Sequence, residues 1–295
     1  MKEKMEKIIV TGSNGLIGTK FVQTYKDKYL IVPFDLNGEL KVDITDERCL
    51  DEVMNKHSDA KALLHLAAYT DVNGAHEQSG NKSGVAWQVN VEGTKNLIKL
   101  AQKYKLYFIH MSTAYVFDGE KPSLYFEENE VKPIEWYGKT KAEAEKIVTE
   151  AKIKKVVLRI DQPFSSKPFS KIDTLHRIIE GLEKEQLYPQ FTNHYFGPTY
   201  IEDLVKVIDF CIRKQIEGIY HASSGEKWSD YDFAWAVKEI LNLPGKIKKG
   251  DVNDYLKTLK RPYQKNTAMN NEKLRQILDF DLKTIKEAIK EKVKE

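Results

Sequence analysis

A short apolar run, Ile8-Ile-Val-Thr11, breaks into Gly12-Ser-Asn-Gly15-Leu-Ile-Gly18 and then into a helical stretch ending near Lys26. This strand, glycine turn and helix constrain the fold more than any other feature of the chain. Gly12 permits the sharp turn, Gly15 lets the backbone approach a pyrophosphate, and Gly18 lets the helix pack close to the strand. The helix start then offers unpaired N–H groups and a favourable dipole to phosphates. The turn therefore predicts a dinucleotide contact through Gly12, Ser13, Asn14, Gly15, Leu16 and Ile17.

Asp35 follows the second strand, Leu30-Ile-Val-Pro-Phe34. A carboxylate there accepts hydrogen bonds from the adenosine ribose and repels a 2′-phosphate, which favours NAD, with NADP the alternative. The other reading of Asp35 is a turn former before Asn37-Gly38. Asp43 and Ile44 fall where the adenine ring would end, and Thr45 or Asp46 can cap the next helix.

Further apolar strands, Ala62–Ala67, Tyr107–Met111 and Lys155–Arg159, alternate with helices over Ala86–Tyr104 and Trp136–Ala151. That alternation predicts an α/β chain: a Rossmann-type doubly wound parallel sheet with a smaller mixed α/β carboxyl-terminal substrate domain. The expected division is 1–160 and 161–295, with the chain re-crossing near 195–225. Helices are expected near Leu175–Lys184, after Tyr200 and over Ser229–Leu241, and a strand over Gly218–Ala222. Lys283–Glu295 reads as a solvated helix face.

The chain has 295 residues, and 47 basic against 44 acidic side chains leave a net charge of only +3. A nucleic-acid binder shows a larger, clustered basic excess, so that class is set aside. No run approaches the ~20 apolar residues of a membrane span. Residues 1–7 are charged and lead directly into a strand, unlike a signal peptide. Cys49 and Cys211 match no metal or disulfide spacing, and no histidine pair has a metal-binding spacing. A cytoplasmic protein without a metal is expected.

Of the fifteen tyrosines, only Tyr137 has a lysine four residues on, at Lys141. On a helix that spacing puts both on one face. A phenol with a reference pKa of ~10 needs a neighbouring cation to act as an acid near neutrality, and Lys141 supplies one. At the end of the preceding strand, Ser112 or Thr113 offers a hydroxyl for a substrate oxygen, or finishes the strand with a hydroxyl-to-backbone bond. His65 and His110 alternate with apolar neighbours and read as packed core residues.

TGSNGLIG, HLAAYTDV, NVEGT, STAYVFDG, YGKTKAEAE, FGPTYIEDL, GIYHASSGE and KRPY together resemble the extended short-chain dehydrogenase/reductases, within them the dTDP-4-dehydrorhamnose reductase-like group. The resemblance implies Thr113, Tyr137 and Lys141 as the catalytic set. It implies that Asn90 holds the catalytic helix or a water relay, and that Ala67, Ala68, Tyr69, Gln162 and Pro163 line the cofactor. Ser112, Ala114, Tyr115 and Arg261 are implied in binding a nucleotide-sugar substrate, Arg261 being equally readable as a surface or interface arginine. A homodimer through the helices at Ala86–Tyr104 and Trp136–Ala151 is also implied.

The chain departs from the group at Ala114, where the reductases carry Asp. It departs again at Arg159-Ile-Asp-Gln-Pro163, where Gln162-Pro163 looks more like the Asn-Pro of sugar epimerases, and Gly74–Gly84 lacks the usual acidic helix start. The leading expectation is an NAD(P)-dependent 4-keto-sugar reductase. A nucleotide-sugar epimerase retaining NAD, and a non-catalytic dinucleotide-binding regulatory subunit, are the alternatives.

Overall fold

The central apolar runs read from the sequence, at Ala62–His65 and Tyr107–Thr113, become strands buried on both faces, while the run Leu30–Phe34 becomes an edge strand with Leu30 exposed. The computed structural model describes residues 5–38, 40–169 and 171–292. Positions 1–4 of the charged amino terminus and 293–295 of the terminal helix face lie outside the described residues. The chain opens with β1 (Lys7–Thr11), α1 (Leu16–Tyr25), β2 (Leu30–Phe34), α2 (Glu47–Met54), β3 (Ala62–His65), α3 (Val72–Glu77), α4 (Val85–Trp87) and α5 (Thr94–Tyr104). There follow β4 (Tyr107–Thr113), α6 (Trp136–Glu150), β5 (Lys155–Ile160), β6 (Pro163–Phe164), α7 (Thr174–Glu183), β7 (Gln190–Phe191), β8 (Tyr195–Phe196), β9 (Thr199–Tyr200) and α8 (Ile201–Lys214). The last stretch holds β10 (Gly218–His221), β11 (Trp228–Ser229), α9 (Asp230–Leu241), β12 (Lys249–Gly250), α10 (Val252–Leu256), α11 (Glu272–Arg275) and α12 (Ile285–Glu291).

Six strands form one sheet in the order β10-β5-β4-β3-β1-β2. The pairings of β1 with β2, β1 with β3, and β3 with β4 are parallel. The order reverses between β1 and β3: the connection after β1 leads out to β2, and the one after β3 leads to β4 on the other side. Such a switch point opens a crevice at the carboxyl ends of the strands, where ligands of this architecture bind.

The chain divides into two compact units. The first holds the residues up to Ser112, Glu135–Leu158 and Val205–Ile219. Its core is apolar sheet against helix: Ile9, Leu63, Phe108 and Val157 pack with Leu97, Ala101 and Val148. The second holds Thr113–Ile134, Arg159–Leu204 and the chain from Tyr220 onward. In it β6–β9 and β7–β12 pair in parallel and β8–β11 antiparallel. Phe164, Leu175, Phe196, Phe233 and Ile285 form its core. The chain thus passes between units several times, at Thr113 and Glu135 as well as near residue 160.

Three local expectations change. The helix expected over Ala86–Tyr104 contains a π-helical segment, Gln88–Gly93, between α4 and α5. The strand expected to reach Ala67 ends at His65, because the Leu66 and Ala67 N–H groups turn onto the Thr11 hydroxyl. The acidic start missing from Gly74–Gly84 lies just upstream: Asp71 caps α3 by accepting from Asn73 N and Gly74 N. Among the described residues no helix is long and apolar enough to cross a membrane.

Candidate active site

The glycine turn lies at the switch point of the first unit. Gly12 has a left-handed φ of +65°, and a Cβ there would sit 2.7 Å from the Ala67 nitrogen. At Gly18 a Cβ would come within 2.3 Å of the Gly12 carbonyl oxygen, so only glycine allows α1 to begin against β1. Gly15 is the cap residue of α1, yet no side chain caps the helix and its first turn has no acid. Ser13 is 3% exposed, and its Oγ has no partner among the described residues. An uncapped helix start with an orphaned buried hydroxyl beside it fits a pyrophosphate.

The two oxygens of Asp35 have different partners. Oδ1 accepts from Asn37 N at 3.0 Å, closing the turn. Oδ2 accepts from Asn14 N at 3.0 Å, which puts the acid beside the glycine turn. Asp43 Oδ1 accepts from the backbone and hydroxyl of Thr45, and Asp46 caps α2. Ile44 is buried against the π-helical segment. A Cβ at Gly93 would lie 2.7 Å from Ile44 Cδ1, so the glycine makes room for that contact.

From the glycine turn a continuous chain of hydrogen bonds runs to the helix carrying Tyr137. Thr11 Oγ1 accepts from Leu66 N and Ala67 N, so its proton goes to His65 Nδ1 at 2.9 Å. Thr94 Oγ1 donates to the Asn90 carbonyl, so it accepts from His65 Nε2–H at 2.9 Å. These partners assign His65 as the neutral Nε2–H tautomer, and burial pushes its pKa down to about 3. Asn90 Nδ2 then donates to Tyr69 O and to Thr140 Oγ1, while Asn90 Oδ1 accepts from Tyr69 N. Thr140 Oγ1 donates to the Tyr137 carbonyl at 2.7 Å. Asn90 thereby ties the loop of Ala67, Ala68 and Tyr69 to α6. It does so from the π-helical segment, an irregularity often found at functional sites.

Tyr137 and Lys141 stand one turn apart on α6. Glu135 caps this helix, Oε2 accepting from Tyr137 N and Oε1 from Gly138 N. Lys141 is 3% exposed; its Nζ donates to the Met111 carbonyl at 2.8 Å. Burial lowers its pKa from 10.5 to about 8, against the opposing charge of Glu145. Ser112, 2% exposed, donates to Glu145 Oε1 at 2.5 Å. Its hydroxyl is thus engaged inside the first unit. Glu145 escaped the sequence reading, although it lies four residues beyond Lys141 and eight beyond Tyr137 on the same helical face.

The remaining candidates belong to the second unit. Thr113 is the last residue of β4, and its Oγ1 accepts from Tyr115 N at 3.3 Å. Ala114 is fully buried in a single 3₁₀ turn with Tyr115. Gln162 has a strained φ of +36°, and its Oε1 accepts from Thr174 Oγ1. Pro163 pairs with Thr199. Arg261 stacks over the Tyr263 ring at 5.3 Å and donates to the Pro262 carbonyl. Asp161, next to Gln162 in the chain, is buried, and burial pushes its pKa up to about 7 despite bonds from Gly197 N and Thr267 Oγ1 and the influence of His194. No group of His, Cys, Asp and Glu able to hold a metal occurs among the described residues.

The family model of the RmlD substrate binding domain matches residues 5–295. A dTDP-4-dehydrorhamnose reductase of Aggregatibacter actinomycetemcomitans is 27% identical over 92% of this chain and 93% of that protein. A dTDP-4-dehydrorhamnose reductase structure from Clostridium acetobutylicum superposes with a TM-score of 0.87 at 25% identity, over 98% of each chain. One from Bacillus anthracis, in complex with NADP, has a TM-score of 0.88 at 23% identity, over 98% of this chain and 99% of that one.

Proposed function

The chain belongs to the RmlD substrate binding domain family, and from that premise we propose that it is an NAD(P)-dependent reductase of a nucleotide-linked 4-keto-sugar. Relatives whose names or titles read dTDP-4-dehydrorhamnose reductase support this reading. The observation that carries it is Lys141, a buried cation held by the Met111 carbonyl one helical turn from Tyr137, in the unit that holds the glycine turn.

The residues divide the work. Gly12–Ile17 bind the pyrophosphate through backbone N–H groups, with the Ser13 hydroxyl beside them. Asp35 accepts the adenosine ribose hydroxyls and favours NAD over NADP. The Ala67–Tyr69 loop, fixed by Asn90, lines the cofactor. A bound reduced nicotinamide supplies the hydride. Tyr137 donates its phenolic proton to the sugar carbonyl oxygen, and the Lys141 ammonium stabilises the phenolate left behind. Thr113 donates a hydrogen bond to the same oxygen and polarises the carbonyl. Tyr115 and Arg261 contact the sugar nucleotide, Arg261 through its diphosphate. The protein works as a homodimer paired through α5 and α6, which sedimentation equilibrium would test.

Incubation with reduced NAD or NADP and a dTDP-4-keto-sugar tests the reading by the loss of reduced-nicotinamide absorbance. Tyr137→Phe is expected to lower kcat by about 100-fold or more, the usual worth of a positioned acid. Full activity in that variant would sink the mechanism. Sugar interconversion without net cofactor oxidation would mark an epimerase. No turnover, with a stoichiometric partner protein co-purifying, would mark a regulatory subunit.

A further inference from the structure

Two consecutive residues of β4 receive two consecutive turns of α6. The Met111 carbonyl accepts from Lys141 Nζ at 2.8 Å, and the Ser112 hydroxyl donates to Glu145 Oε1 at 2.5 Å. Lys141 and Glu145 are 3% and 4% exposed, so an ammonium and a carboxylate share one dry layer between strand and helix. An ammonium in such a place loses most of its hydration, and a single carbonyl does not replace it. A fixed opposite charge four residues along the same helix face does.

Two other titratable groups, both histidines, interact with Lys141 without giving it a counter-charge. His65 of β3 and His110 of β4 are both buried and both held neutral, burial and the Lys141 charge depressing each. Their rings lie 5.2 Å apart between centroids, and neither His110 nitrogen has a partner among the described residues. On α6, Tyr137 stands one turn before Lys141. Among the described residues, Glu145 supplies the negative charge acting on Lys141, and it acts against the effect of burial.

We propose that Glu145 is a positioning residue for Lys141: its carboxylate, held by the Ser112 hydroxyl, is the counter-charge that keeps the buried lysine an ammonium. The Ser112 hydroxyl serves this pair rather than the substrate. Catalysis depends on Glu145 only through Lys141, and that consequence rests on the reading of Tyr137 and Lys141 given above.

The direct test is a titration of Lys141 by NMR in protein labelled with ¹³C at lysine Cε, the signal being assigned by its loss in Lys141→Arg. In the parent, Lys141 is expected to titrate near pH 8. Glu145→Gln keeps an oxygen for Ser112 but removes the charge, and should move the midpoint down by about one pH unit or more. A folded Glu145→Gln protein with the parent's melting temperature and an unmoved Lys141 midpoint overturns the proposal, because a merely structural residue leaves that midpoint in place. Should Glu145→Gln fail to fold, Ser112→Ala decides. It retains the carboxylate but frees it, so a downward move supports the proposal and an unmoved midpoint overturns it. The titration requires no substrate. A shifted midpoint with a fully active Tyr137→Phe protein would therefore refute the catalytic reading and leave this one standing.

Discussion

A lysine taken out of water becomes a weaker base, and Lys141 is taken out almost completely. Its pKa falls to about 8 because burial outweighs the attraction of Glu145. Two opposite pH effects follow. The charged form is disfavoured in the fold, so its destabilising effect is present below about pH 8 and fades as pH rises toward the unfolded value of 10.5. The proposed mechanism uses the ammonium, so kcat/KM is expected to fall as pH rises through about 8, which a pH–rate profile checks. Asp161 shows the same physics with the other sign. Burial raises its pKa from 3.8 to about 7, so the folded form holds a proton that the unfolded chain gives up. Its contribution is most favourable below the unfolded value and is lost as pH rises toward 7. Asp161→Asn cannot ionise, so its melting temperature relative to the parent should climb between pH 5 and pH 8. A constant difference across that range would show that Asp161 ionises freely in the fold.

At the scale of elements, the glycine turn depends on absent side chains. A Cβ on Gly18 would meet the backbone of Gly12 and Ser13, within 2.3 and 2.7 Å, and backbone held between β1 and α1 does not yield as a flexible side chain does. Gly18→Ala is therefore expected to weaken dinucleotide binding by about tenfold or more, a change of about 1.4 kcal/mol, readable by fluorescence titration with a reduced dinucleotide. Unchanged affinity would mean that α1 can shift without spoiling the turn. The π-helical segment works through a different feature. Its extra residue per turn directs Asn90 to Tyr69 and Thr140 at once, and Gly93 admits Ile44 against it. Periodicity of apolar residues cannot reveal such a bulge, since the pattern on either side is that of an ordinary helix. The amino-terminal strands, α1 and the helix of Tyr137 were legible because each has a local signal, whether an apolar run, glycine spacing or a lysine one turn on. The carboxyl end of β3 and the start of α3 were less so, because Thr11 and Asp71 settle them by hydrogen bonds that no local pattern announces.

For the molecule as a whole, the two units differ in how far the sequence foretold them. The first follows the regular alternation of strand and helix. The second is assembled from strands of two residues paired across long stretches of chain, such as β7 with β12, and short pairs leave little periodicity to read. A ligand that binds only the folded chain stabilises it by mass action. A dinucleotide at about 100 times its Kd should thus add about 2.7 kcal/mol to unfolding. Hydrogen exchange should slow at Gly12–Ile17 and Asp35 as it does so, and protection confined to other segments would place the cofactor elsewhere. The sequence by itself determined the glycine turn, the acid after β2 and the tyrosine–lysine spacing, since these are short-range facts of backbone geometry and helical pitch. Only the tertiary structure decided what those groups experience: that Lys141 is dry, that Ser112 faces Glu145, and that Asn90 joins the Ala67–Tyr69 loop to the helix of Tyr137. Charge and proton affinity depend on the surrounding medium and on partners distant in the chain, and folding creates both.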